Sequence, residues 1–117
     1  MIHRAKDLKC EVREKMRGGN GKVKIEHFWE AGKDLKAKTR LCAKLTLEPG
    51  DSIGFHTHDN EEEVYIITRG EAEAEDNGKT EKLFPGDTIL TGGGAGHSIK
   101  SVGKEPLEVI AVIHCYL

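Results

Sequence analysis

An all-β domain, a barrel or sandwich of short antiparallel strands, is what this sequence predicts. Three observations carry that expectation. Glycine occurs 14 times in 117 residues and divides the chain into short segments. Between the glycines, apolar and polar residues alternate with a period of two, the repeat of a strand with one buried face. The 3.6-residue period of a helix is faint, showing only over Ala5–Met16, where an amphipathic turn or two is expected.

The elements follow in chain order. Residues 1–22 are expected to form a short N-terminal arm that ends in the glycine-rich stretch Arg17-Gly18-Gly19-Asn20-Gly21, a flexible connection. Residues 23–117 form the domain. Lys22–Trp29 places Val23, Ile25 and His27 on one face, and Arg40–Leu47 places Leu41, Ala43, Leu45 and Leu47 on one face. Pro49-Gly50 and Pro85-Gly86 suit type II turns, proline presetting φ at the first corner and glycine taking positive φ at the second. Each is followed by aspartate and an alternating segment (EPGDSI and FPGDTI), an echo that suggests a pseudo-repeat within one sheet system. Asp59–Glu62 reads as a hairpin connection. Glu71–Glu75 alternates small inward candidates with charged outward ones, and Asn77-Gly78 tolerates the paired positive φ angles of a type I′ hairpin. Leu107–Leu117 is a long apolar strand.

Composition excludes several classes of function. Lys+Arg is 18 against Asp+Glu 20, and no basic run suggests a nucleic-acid-binding face. The aromatic share of 5% also gives base stacking little support. No apolar run reaches the length of a membrane span, and Met1–Cys10 lacks the apolar stretch of a signal peptide, so a cytoplasmic protein is expected. Cys10, Cys42 and Cys115 are odd in number and far apart, as free thiols in a reducing compartment would be.

The chemistry concentrates in two glycine-punctuated segments, Gly50–Gly70 and Gly86–Ser101. His56 and His58 stand two apart, so on a strand both reach one ion. Glu61, Glu62 and Glu63 follow, and parity excludes only Glu62. His97 must arrive from another strand. Imidazole nitrogen with carboxylate oxygen suits a divalent transition ion better than calcium or magnesium. Three neutral imidazoles and one carboxylate leave such an ion net positive and, in an octahedral shell, two positions free for ligand. His3, His27 and His114 have no spaced partners and are expected on the surface or packed without a site role.

The spacing Gly50-x5-His56-x-His58-x4-Glu63-x6-Gly70 resembles the first motif of the cupin superfamily at every defined position. After a spacer of 15 residues, Gly86-x5-Gly92-x-Gly94-x2-His97-x3-Ser101 resembles the second, with glycine at 92 where the family usually has proline and serine at 101 where it has asparagine. Neither departure removes a ligand. The resemblance is to small single-domain prokaryotic cupins of the oxalate-decarboxylase-like, stand-alone type, and Arg17–Gly21 and Leu90–Gly96 look like theirs. It implies a double-stranded β-helix, or jelly-roll, barrel, and it selects Glu63 as the carboxylate ligand. The implied metal site is His56, His58, Glu63 and His97, holding one divalent ion per chain: manganese, iron, nickel, cobalt or zinc. Tyr65, Ile67 and Ile99 share the inward parity of Glu63 and His97 and are expected to line the pocket.

The expected function is a metal-dependent enzyme acting on a small, anionic, oxygen-chelating substrate by decarboxylation, dioxygen insertion or isomerisation. The alternative is a sensor or carrier that holds a metabolite through the metal without turning it over. No residue is assigned as catalytic, although Glu30, Asp34 and Glu48 are available as proton relays. True oxalate decarboxylases resemble two fused cupin domains with an acidic lid, and this chain offers one domain. The apolar C-terminal strand and the N-terminal arm suggest a homodimer paired through arms or edge strands.

Overall fold

The computed structural model describes residues 1–117. Ten strands run in chain order: β1 (Lys9–Glu14), β2 (Lys22–His27), β3 (Thr39–Leu47), β4 (Ser52–Thr57), β5 (Glu61–Arg69), β6 (Ala72–Asp76), β7 (Lys79–Leu83), β8 (Thr88–Gly92), β9 (Gly96–Ser101) and β10 (Leu107–Cys115). They form two antiparallel sheets, β1-β2-β3-β10-β5-β8 and β4-β9-β6-β7. A single apolar cluster joins their inner faces, with Val23, Ile25, Leu45, Leu47, Ile67 and Val109 from the larger sheet and Ile53, Ala72, Ala74 and Ile99 from the smaller. These are the inward positions that the period-two pattern picks out, and their burial drives the sheets together. No helix is long and apolar enough to cross a membrane.

The turns form as their residues dictate. Asn77 (φ 49°) and Gly78 (φ 81°) make the tight hairpin between β6 and β7, with Asp76 opposite Lys79. Asp51 N–H donates to Glu48 O and Asp87 N–H to Phe84 O, both at 2.9 Å, closing the two Pro-Gly turns. The three cysteines are free thiols.

Five expectations need correction. Ala5–Met16 is not helical beyond one 3-10 turn at Ala5–Asp7, because β1 pairs along its length with β2 and completes the sheet edge. The Arg17–Gly21 stretch is not a loose connection: Asn20 N–H donates to Ser52 Oγ (2.9 Å) and Ser52 N–H to Asn20 O (3.0 Å). Asp59–Glu62 is not a hairpin, since β4 pairs with β9 whereas β5 pairs with β10 and β8; the loop crosses from one sheet to the other. For the same reason the two Pro-Gly echoes feed strands of opposite sheets, β4 and β8. The C-terminal strand β10 is central, between β3 and β5, so its apolar character serves the core and the free edges of its sheet are β1 and β8.

Candidate metal centre

The crossover between sheets brings the predicted ligands together. His56 lies on β4 and His58 just beyond it, His97 lies on β9 opposite His56, and Glu63 comes from β5 in the other sheet. Strict alternation along β4 from the buried Ile53 would turn Phe55 inward and His56 outward. A register shift between Ile53 and His56 reverses the phase, leaving Phe55 55% exposed and His56 facing the interior. One ligand atom from each of the four side chains lies within 4.8 Å of the others. His58 and His97 are 1% exposed and Glu63 3%.

Hydrogen bonds on the far side of two rings decide which nitrogen faces the centre. His56 Nδ1 lies 2.8 Å from Gly54 O, and His58 Nδ1 lies 2.5 Å from Glu61 Oε2. Both oxygens only accept, so each Nδ1 carries the proton and each Nε2 turns a lone pair inward. Burial lowers the His56 pKa, with the neighbouring His97 and His58 adding to the effect against the Gly54 hydrogen bond, and the ring stays neutral. Glu61 is itself gripped by Arg40, Nε to Oε1 at 2.9 Å and Nη2 to Oε2 at 2.7 Å. That bidentate pair, against a desolvation cost and with help from His58, holds the Glu61 carboxyl at about 2. The His97 ring is held by stacking on Tyr65, centroids 4.8 Å apart and planes 6° from parallel. Burial, with the Glu63 carboxylate beside it, pushes the Tyr65 phenol well above its usual value.

The donor set fits a divalent transition ion. Glu63 Oε1 is buried without a hydrogen-bond partner, 3.0 Å from Nε2 of both His58 and His97. The Nε2 of His97 lies 3.1 Å from that of His58 and 3.2 Å from that of His56. The inward lone pairs of His56 and His58 and the carboxylate oxygen of Glu63 thus converge with His97 Nε2 on one point, an electron-rich arrangement that a cation between them would satisfy. Metal–donor bonds of about 2.1 Å give adjacent donors about 3.0 Å apart in an octahedron and about 3.4 Å in a tetrahedron. Four of the six donor pairs, at 3.0–3.2 Å, are close enough for their atoms to share one ion.

A cavity of about 120 Å³ adjoins the cluster, lined by His56, His58, Glu63 and Tyr65, by Arg13, Arg17, Arg40 and His27, and by apolar side chains that include Met16, Leu41 and Leu45. Of the expected pocket residues, Tyr65 lines it; Ile67 and Ile99 lie in the core cluster and do not. Glu30, Asp34 and Glu48 are outside the lining; Glu30 pairs instead with Lys9 and Lys33. His27, set aside in the sequence, belongs to the lining and lies 3.2 Å from Glu11 Oε2. Its shared parity with Val23 and Ile25 was the available signal. Arg13, Arg17 and Arg40 had none, since a charged residue near a strand end reads as solvated. His3 stacks on Trp29 and His114 is exposed. A larger hollow of about 640 Å³, lined by Gly70, Glu71, Phe84, Pro85 and Lys104 among others, contains none of the four ligands.

Comparison with known proteins agrees with this picture. Residues 43–113 match the cupin domain model. The chain is 39% identical to the oxalate-binding protein of Thermotoga maritima over 97% of its own length and 93% of the relative's. The crystal structure of a predicted oxalate decarboxylase from Thermotoga maritima shares 38% identity, with a TM-score of 0.92, and the match covers 98% of this chain and 99% of that one. The cupin domain of Schizosaccharomyces pombe Cnp3 shares the fold alone, with a TM-score of 0.75 at 12% identity over 97% of this chain and 73% of that one. By motif spacing, by fold and by the match over most of its length, this chain belongs to the cupin family.

Proposed function

We propose that this protein binds one divalent transition metal through His56, His58, Glu63 and His97 and, through it, holds a small oxygen-chelating anion in the adjoining cavity. The observation that carries this is the convergence of lone pairs and an unpartnered carboxylate oxygen at 3.0–3.2 Å, with two imidazole tautomers set from behind. A bound ion would supply Lewis acidity and an electrostatic hold on paired oxygens. The chain's own residues do the rest. Glu61 and Arg40 orient His58, Tyr65 supports His97, and the apolar wall of Met16, Leu41 and Leu45 limits water. A cavity of about 120 Å³ has the volume of roughly four waters at about 30 Å³ each, which suits a ligand of a few heavy atoms. Oxalate is of that size and charge, and the relative from Thermotoga maritima is named for binding it.

The test is elemental analysis of protein purified without a histidine tag, followed by thermal melts of stripped, metal-loaded and metal-plus-oxalate samples. One metal per chain is expected, with oxalate at a hundredfold excess over its dissociation constant raising the melting temperature by on the order of 10 °C. Metal well below one per chain, unchanged by His58→Ala, refutes the site. A second function, turnover of the bound anion, is favoured by one observation: His27 and Glu11 form an imidazole–carboxylate pair at the cavity, with the chemistry of a general acid or base. Carbon dioxide release from oxalate or 2-oxo acids that His27→Gln abolishes would establish it, and binding without release by the wild type would exclude it for those acids. A homodimer paired through the β1 edge would satisfy that strand's open backbone groups; light scattering should then give twice 12.9 kDa, and a single-chain mass refutes it.

A further inference from the structure

The turn from Lys15 to Gly21 is an unusual place for an arginine. Lys15 (φ 50°, ψ 44°) and Arg17 (φ 55°, ψ 29°) both adopt the left-handed conformation, which side chains other than glycine and asparagine rarely take. The backbone is held there by hydrogen bonds from Lys15 N–H to Gly21 O (2.9 Å), Gly18 N–H to Lys15 O and Gly19 N–H to Met16 O (both 3.0 Å). It is also docked against β4 by two glycines with no room for a side chain. A Cβ at Gly19 would lie 2.2 Å from Ser52 O, and one at Gly54 would lie 2.1 Å from Arg17 O. The turn is thus pinned to the strand that carries His56.

This anchoring places Arg17, which is exposed, in the lining of the metal cavity with His56, His58, Glu63 and Tyr65. The other two arginines of the lining are already matched: Arg13 lies 2.7 Å from Glu11 and Arg40 is paired with Glu61. Arg17 has no carboxylate within ion-pair distance. A divalent ion and Arg17 bring three positive charges, Glu63 removes one, and two remain for the ligand to balance.

We infer that Arg17 is the specificity-determining residue of the site: it takes the outward carboxylate oxygens of a small dicarboxylate and makes the cavity select dianions over monoanionic chelators. The inference rests on the metal and ligand assignment proposed above. A planar guanidinium suits this role because it meets a carboxylate with two parallel N–H donors.

The experiment uses manganese(II)-loaded wild type, Arg17→Gln, Arg17→Lys and Lys24→Gln, Lys24 being an exposed cation on the outward face of β2 and outside the cavity lining. Metal content is measured first, then titration calorimetry with oxalate and with acetohydroxamate, a monoanionic chelator. Arg17→Gln should keep full metal content, lose oxalate affinity roughly 10- to 100-fold and bind acetohydroxamate within about threefold of wild type. Arg17→Lys should be intermediate, keeping the charge without the fork. Lys24→Gln should stay within about threefold for both probes. Full metal content with unchanged oxalate affinity in Arg17→Gln overturns the assignment of Arg17 alone. So does equal loss of both probes, which would mark a structural role for the turn, or an equal loss in Lys24→Gln, which would mark general surface potential. Wild type that takes up no manganese, or takes it up and ignores oxalate, overturns the underlying site and Arg17 with it.

Discussion

Glu61→Ala is the most informative single change outside the four ligands. Glu61 does not face the metal position; it accepts from His58 Nδ1 at 2.5 Å and is clamped by Arg40. Alanine leaves the Nδ1–H of a ring that is 1% exposed without its acceptor and frees the ring to rotate or change tautomer. A hydrogen bond to a charged group contributes about 1.5–3 kcal/mol, and at about 1.4 kcal/mol per decade that is roughly a 10- to 150-fold loss of metal affinity. The upper part of the range applies only if no water enters to replace the carboxylate, so 10- to 100-fold is expected. Competition against a chromophoric chelator measures it directly. The neighbouring Glu62→Ala is the control, because Glu62 accepts from the Tyr116 hydroxyl at 3.1 Å and does not line the cavity; its metal affinity should stay within about twofold. Glu61→Ala binding metal as tightly as wild type, or Glu62→Ala losing as much, refutes the account of how His58 is held.

Other consequences can be measured independently. His58→Ala removes a donor from the centre of the cluster and should reduce bound metal to a small fraction of wild type by elemental analysis; near-full occupancy would mean the ion sits elsewhere. Gly54→Ala puts a Cβ 2.1 Å from Arg17 O, so the turn must shift, and a loss of about 1–3 kcal/mol in urea unfolding is expected; an unchanged midpoint would mean that the close contact relaxes freely. Glu61 is held at about 2, against an ordinary 4.5. An unfolded chain therefore binds the proton first, and the stability from the Arg40 pair is complete above about pH 4.5 and lost as pH falls toward 2. Acid titration of metal-free wild type beside Glu61→Ala should show a smaller loss over that window in the variant, and parallel curves would contradict the pairing. Leu45→Ala, at a fully buried site of the core cluster, should cost about 2–5 kcal/mol, read by the same unfolding assay.

Local pattern in the sequence determined a good deal. The inward faces of β2, β3 and β6 follow from alternation, because burial on one side of a strand leaves a period of two. The β6–β7 hairpin follows from Asn77-Gly78, because few residues tolerate two successive positive φ angles. The four side chains that converge were visible as a set in two glycine-bounded motifs. Tertiary structure decided the rest. Which sheet each strand joins is a matter of long-range pairing, so β4 and β5 looked like a hairpin while belonging to opposite sheets. The register shift before His56 that turns it inward is a property of the β4–β9 pairing and has no local signature beyond a glycine. Glu61 and Glu63 share a parity, and the family spacing selects Glu63; the tertiary structure sets Glu61 between Arg40 and His58 Nδ1 and brings Glu63 Oε1 beside Nε2 of His58 and His97. Arg17 and His27 enter the cavity because the N-terminal segment pairs as a strand and docks its turn on β4. Alternation tells a side chain which face it occupies, but what lies opposite that face is set by residues far away along the chain.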